Sequence, residues 1–146
     1  MTPLRQLHEI RAVLHAHRDF MECILHSVSF TDFQTTLALT FDYIWLPDGT
    51  VRPDEDAKLL VTLKMLTVQE VDWRNAQRPL ATGDAMALNW GFAEIARIEV
   101  KDDSRAAAYS GHSVGFHHMT VWREEGPWID VVFSGLQVAE VLAEKT

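Results

Sequence analysis

From residue 33 to residue 45, Phe33, Leu37, Leu39, Phe41, Tyr43 and Trp45 fall at alternate positions, with Gln34, Thr36, Thr40 and Asp42 between them. A period of two gathers these side chains on one face of an extended chain, whereas a helix would scatter them around its circumference. The segment is therefore expected to be a half-buried strand. A strand must find hydrogen-bonding partners for its backbone, and the residues that follow supply one. Leu46-Pro47-Asp48-Gly49-Thr50 places proline and glycine where a turn uses their backbone restrictions, and residues 53–56 extend the polar break. Leu59, Val61, Leu63 and Met65 then alternate again. The pattern resumes out of phase after Thr67, as Val68, Val71 and Trp73, which predicts a bulge or a bend.

A loop is expected over residues 74–84, which contain Pro79 and Gly83, and a strand from Ile95 to Val100. Residues 101–115 are the least apolar stretch and read as a loop or hairpin tip. Phe116, His118, Thr120 and Trp122 alternate with His117, Met119, Val121 and Arg123. Glu124-Glu125-Gly126-Pro127 then turns the chain into Trp128-Ile129-Asp130-Val131-Val132-Phe133, a hairpin pattern. Gly135 breaks that strand, and Leu136, Val138, Val141 and Leu142 close the chain as a short strand or helix. At the other end Leu4, Leu7, Ile10, Val13 and Leu14 recur at helical spacing after Pro3, with a break expected near Asp19. No repeat or linker divides the chain and βαβ alternation is absent. The expectation is a single α+β domain over residues 1–146, an N-terminal helix packed on a mainly antiparallel β-sheet.

Motifs for chemistry are sparse. Seven histidines are present, but His15 and His17 would face different sides of a helix, and His117 and His118 opposite sides of a strand. His26 and His112 stand apart, so no metal site is expected and His118 reads as a hydrogen-bonded core histidine. Cys23 is the only cysteine, which rules out an intramolecular disulfide; it is expected to be buried. G-x-S-x-G and phosphate-cradling glycine patterns are absent, so neither a catalytic assignment nor a cofactor follows. The carboxylates of Asp54-Glu55-Asp56, Asp102-Asp103 and Glu124-Glu125 sit at loop-like positions where water solvates them. A formal charge of −8 repels nucleic acid and anionic membrane surfaces and attracts a basic protein. No apolar segment approaches the length of a membrane span or a secretory h-region, so a cytoplasmic protein is expected.

Three segments carry a resemblance: Asp32-Phe33 followed by Leu37-Ala38-Leu39-Thr40-Phe41-Asp42, then Val68-Gln69-Glu70-Val71, and Trp122 with Asp130-Val131-Val132-Phe133-Ser134-Gly135-Leu136-Gln137-Val138. Together with Asn89-Trp90-Gly91-Phe92-Ala93-Glu94-Ile95, the pattern resembles small β-rich immunity proteins encoded beside bacterial polymorphic toxins and contact-dependent or type VI effectors. The resemblance implies a scaffold whose activity is binding: neutralisation, without catalysis, of a cognate toxin, which the acidity suggests is basic. The contacts then expected are Asp42, Asp48, Asp54, Glu55, Asp56, Asp102, Asp103, Glu124 and Glu125, with Trp73 and Trp128 as exposed aromatics. Two alternatives stand beside it. One is a small enzyme or ligand-binding domain with a pocket between helix and sheet, using His117, His118, Glu94 or Asp130. The other is a homo-oligomer formed through strand edges.

Overall fold

The computed structural model describes residues 2–53, 58–74, 94–111 and 114–143. It is an α+β structure with an N-terminal helix and two antiparallel sheets, where the sequence suggested one. Helix α1 (Leu7–Ala16) is followed by a one-turn 3-10 segment (Arg18–Phe20), then β1 (Ile24–Thr31), β2 (Thr36–Tyr43), β3 (Lys58–Leu66) and β4 (Glu70–Trp73). After β5 (Arg97–Lys101) and the short helix α2 (Ser104–Ala107) come β6 (His117–Arg123), β7 (Gly126–Phe133) and β8 (Gly135–Ala143). The first sheet has the order β1-β2-β3-β8 and the second β4-β7-β6-β5. Residues 75–84 of the expected loop, and residues 89–93 of the segment that carries the resemblance, lie outside the described residues.

The two sheets share one antiparallel ribbon. In the first, β3 pairs with β8 as far as Leu66 opposite Gly135; in the second, β4 pairs with β7 from Glu70 opposite Val132. Both strands bend at the same level. Thr67 adopts a left-handed φ of 53°, and the Ser134 amide donates to the Leu66 carbonyl at 2.9 Å. The phase change after Thr67 is this bend: one ribbon moves its apolar face from the first sheet to the second. A further link joins the sheets at their far side, where Ile24 bridges Glu94 and the Ile95 amide donates to the Cys23 carbonyl at 2.9 Å.

The alternating residues fill the space between the sheets. Leu37, Leu39 and Phe41 from β2, Val61, Leu63 and Met65 from β3, and Met119, Val121, Ile129, Val131 and Phe133 from the β6–β7 hairpin are fully buried in one cluster. Register sets them face to face, with Leu39 opposite Leu63 and Met119 opposite Val131. Helix α1 adds Ile10 and Leu14. Among the described residues, no helix is long and apolar enough to cross a membrane.

Helix α1 ends in an unusual way. Arg18, Asp19 and Phe20 all have left-handed φ values, 54°, 53° and 58°, and Glu22 follows at 62°. Left-handed backbone costs an L-residue about 1–2 kcal/mol each. The offset comes from Phe20, which is fully buried with its ring 5.4 Å from His17, 5.1 Å from Phe41 and 5.9 Å from Tyr43.

Local differences from the sequence reading have physical causes. Phe33 sits in the β1–β2 turn, fully exposed, because the strand begins only at Thr36. A register shift between Leu25 and Ser27 breaks the alternation of β1, which hid it. Residues 101–115 contain α2, started by the Asp103 carboxylate accepting from the Ala106 amide at 3.1 Å. Replacing Phe20 with alanine removes the anchor of the left-handed turn. We expect a loss of about 3–5 kcal/mol of stability, measured by urea denaturation.

Candidate functional site

Two clusters of charged side chains are candidates. The first covers the outer face of the second sheet. Successive residues of β6 point to opposite faces, so His118 and Thr120 face away from the cluster that holds Met119 and Val121. Across the hairpin, Thr120 pairs with Asp130 of β7. The Asp130 carboxylate accepts from Thr120 Oγ1 at 2.8 Å, meets His118 Nε2 at 2.6 Å and lies 2.7 Å from Arg74. His118 Nδ1 in turn meets Asp103 at 2.8 Å. With a carboxylate oxygen on each ring nitrogen, both contacts are hydrogen bonds only if the imidazole donates from both. Arg105 of α2 bonds Glu70 of β4, which also accepts from the Tyr109 hydroxyl at 2.9 Å.

Burial alone would raise the Asp130 carboxyl, but hydrogen bonds from Thr120 and His118 and the Arg74 charge outweigh it, so the net direction is down. Asp103 behaves likewise: burial opposes, and His118 and the Ala106 amide prevail. The Arg105 hydrogen bond lowers Glu70. Every charge at the centre of this cluster has a partner, and no ring nitrogen of His118 is left to act on a substrate. The arrangement clamps α2 and β4 onto the β6–β7 hairpin.

The second cluster lines a groove of about 420 Å³ where the start of β5 meets the segment before β1. Pairing of Glu22-Cys23 with Glu94-Ile95 brings Glu22 and Glu94 together, and the β6–β7 turn adds Glu124 and Glu125. Burial first, and then the charges of Glu22 and Glu124, raise the Glu94 carboxyl above its ordinary range. Met21, 43% exposed, and Trp45 form the apolar wall. Trp45 is held by its indole N–H donating to the Met21 carbonyl at 2.9 Å and by Arg18, 5.1 Å above its ring. Arg123 also lines the groove; its guanidinium lies 5.2 Å from the Trp128 ring and 3.5 Å from Glu125.

Of the residues singled out from sequence, Glu124 and Glu125 are exposed on this groove. Asp102 and Asp103 are not simply solvated, because they hold His117 at 2.6 Å and His118 at 2.8 Å. Asp42 is buried in an ion pair with Arg52 at 2.7 Å, and Trp128, expected to be an exposed aromatic, is 3% exposed. Trp73 is 45% exposed and packs edge-on against Trp128. Asp48 accepts from the Thr50 amide and hydroxyl in its turn, and Asp54, Glu55 and Asp56 lie outside the described residues. Of the suggested pocket residues, His118 and Asp130 do meet; His117 lies on the opposite face and Glu94 in the acidic groove. Cys23 is fully buried, and burial above all pushes its thiol up to about 12. Glu22, Met21 and Trp45 were missed as site residues because only the left-handed turn and the Cys23–Ile95 pairing bring them to the groove.

Among the described residues, no group of three or more His, Cys, Asp or Glu side chains is placed to hold a metal ion. Comparisons of the chain with protein families, with curated proteins and with solved structures find no match.

Two outcomes follow from the carboxyl shifts. Asp130, Asp103 and Glu70 have lowered folded values, so their stabilisation is present above the unfolded carboxyl range near about 4 and is lost as pH falls through the folded values. The melting temperature should drop on acidification below about pH 4. Asp130→Asn should destabilise by about 3–5 kcal/mol at neutral pH, because it strips the buried centre of its compensating charge, and should flatten that acid limb. Glu94 has the opposite sign: its ionised form is disfavoured in the fold. Glu94→Gln should therefore raise the melting temperature slightly at pH 7 and leave it unchanged where Glu94 is already protonated.

Proposed function

We propose that this protein is a non-catalytic inhibitor of the immunity type, acting in the cytoplasm, which binds a basic cognate toxin through the acidic groove at Glu22, Glu94 and Glu124. The observation that carries the reading is the gathering of these carboxylates in one groove, where burial first, and then the charges of Glu22 and Glu124, raise the Glu94 carboxyl. A lysine or arginine side chain from a partner would relieve that repulsion, and the aliphatic stem of such a residue suits the wall made by Met21 and Trp45. The left-handed turn supports the same place: strained backbone is kept where the surroundings force it, and here it delivers Met21 and Glu22 to the groove rim. The overall charge of −8 speeds encounter with a cationic protein, while the groove decides how long the complex lasts.

The experiment is a pull-down with the tagged protein from its own cell extract at low and raised salt, followed by mass spectrometry and by a growth assay with the captured protein expressed alone and with its inhibitor. We expect one stoichiometric basic protein whose toxicity the inhibitor suppresses. The double variant Glu22→Lys, Glu124→Lys should weaken capture about tenfold to a hundredfold, the scale of a few kcal/mol of charge complementarity. Capture of the same toxin with undiminished affinity by that variant would move the interface elsewhere. Absence of any neutralised protein would overturn the reading.

A further inference from the structure

We infer that a second groove, between α1 and the bend that joins the two sheets, binds a compact polyphosphate anion. The groove has a volume of about 1060 Å³ and is walled by the first turns of α1, by Thr67 and Ser134 at the bend, and by Gly115 ahead of β6. His8, Arg11 and His15 recur at helical spacing along its α1 wall, a strip of about 10 Å at 1.5 Å per residue, and Arg5 continues it before the helix begins.

Arg5 and Arg11 both line this groove, whereas Arg18, which likewise meets no carboxylate within 4.0 Å among the described residues, lies over the Trp45 ring at 5.1 Å. Arg52, Arg74, Arg97, Arg105 and Arg123 each lie within 4.0 Å of a carboxylate. Arg5 and Arg11 meet none among the described residues; each is steadied instead by a neutral acceptor. Arg5 donates through one Nη to Ser134 Oγ at 3.3 Å, and Arg11 donates through Nε to the Val100 carbonyl at 3.1 Å, which leaves both its Nη groups for a ligand. Gly135 gives Arg5 its room: a Cβ there would lie 3.1 Å from Nη1 and 3.5 Å from Cζ, so a side chain at this position would press the guanidinium aside by a few tenths of an ångström. The one carboxylate on the described wall, Asp102, is engaged by His117 Nδ1 at 2.6 Å.

Two positioned guanidiniums without counter-charges, in a chain of charge −8, fit an anion that supplies the missing negative charge. Phosphate matches the planar fork of arginine through paired hydrogen bonds, and the exposed hydroxyl of Thr67 suits a further oxygen. No Phe, Tyr or Trp lines the described wall, so no large aromatic face is offered to a nucleobase. The chemistry recognised is therefore several phosphates on a small polar core, or in a chain, rather than a nucleotide.

The test needs no toxin and so stands or falls apart from the acidic groove. Inorganic tripolyphosphate is titrated into the full chain by isothermal calorimetry at about 50 mM and about 300 mM salt, with citrate as a carboxylate comparator. We expect one site with micromolar affinity, weaker at the higher salt. Arg5→Gln and Arg11→Gln should each weaken it about tenfold or more, as loss of a charge-assisted pair implies. Gly135→Ala should weaken it by displacing Arg5, and His8→Gln, a change at an exposed side chain, gives an independent probe in a protein with an unchanged circular dichroism spectrum. Absence of binding, equal affinity in the arginine variants, or citrate binding as tightly as tripolyphosphate would each overturn the assignment.

Discussion

The bend shared by β3–β4 and β7–β8 is the constraint on which the rest of the structure rests. Two strands paired along their whole length would make one flat ribbon with one apolar face and one exposed face. Bending both partners at Thr67 and Ser134 turns that ribbon on itself, so its apolar side chains meet each other across the space between the sheets. The remaining strands extend each half: β2 and β1 from β3, and β6 and β5 from β7. The same bend fixes the second groove, because Ser134 and Gly135 both form the corner and seat Arg5. Corner and groove are thus one feature of the backbone read from two sides.

A second constraint is the passage from α1 to β1. The helix must lie on the core through Ile10 and Leu14, while β1 must begin where Cys23 can pair with Ile95. A left-handed turn closes that gap in few residues, and Phe20 is the plug that makes its backbone tolerable. Strain offset by a buried ring is a local arrangement, yet it settles where Glu22 stands and hence how many carboxylates share the acidic groove.

The core was legible in the sequence because alternation is a direct imprint of a half-buried strand; Leu37, Leu39 and Phe41, and then Val61, Leu63 and Met65, each announced a face. The phase change after Thr67 even announced the bend. What it could not announce was that the bend divides the strands into two sheets, since that depends on β7 and β8 bending at the matching level some 70 residues away in sequence (about 134 against 67). β1 was hidden by its register shift and α2 by its brevity. The sites were harder still. Glu124 and Glu125 could be found as a turn with two charges, but Glu22 and Glu94 meet only through tertiary pairing. Asp42 looked like a solvated strand residue and is buried against Arg52. His118 was read as a hydrogen-bonded core histidine; it is buried and hydrogen-bonded, but on the face of β6 turned away from the core, and its two carboxylate partners come from β7 and the residue that starts α2.

The two grooves lie toward opposite ends of the β6–β7 hairpin: Glu124 and Glu125 at its turn, and His117 and Ser134 at its open end. A strand of seven or eight residues spans roughly 20–25 Å, well beyond the screening length of about 8 Å at physiological salt. Charge at one end is therefore felt only weakly at the other through solvent. A chain with an excess of carboxylates can in this way keep uncompensated arginines at one end and crowded glutamates at the other without the two neutralising each other. Mechanical coupling is a separate matter. Both ends are held by the same clamped hairpin, whose outer face is fastened by the His118, Asp130 and Arg105 network. Coupling between the grooves would need a second arrangement of this hairpin that both ligands favour.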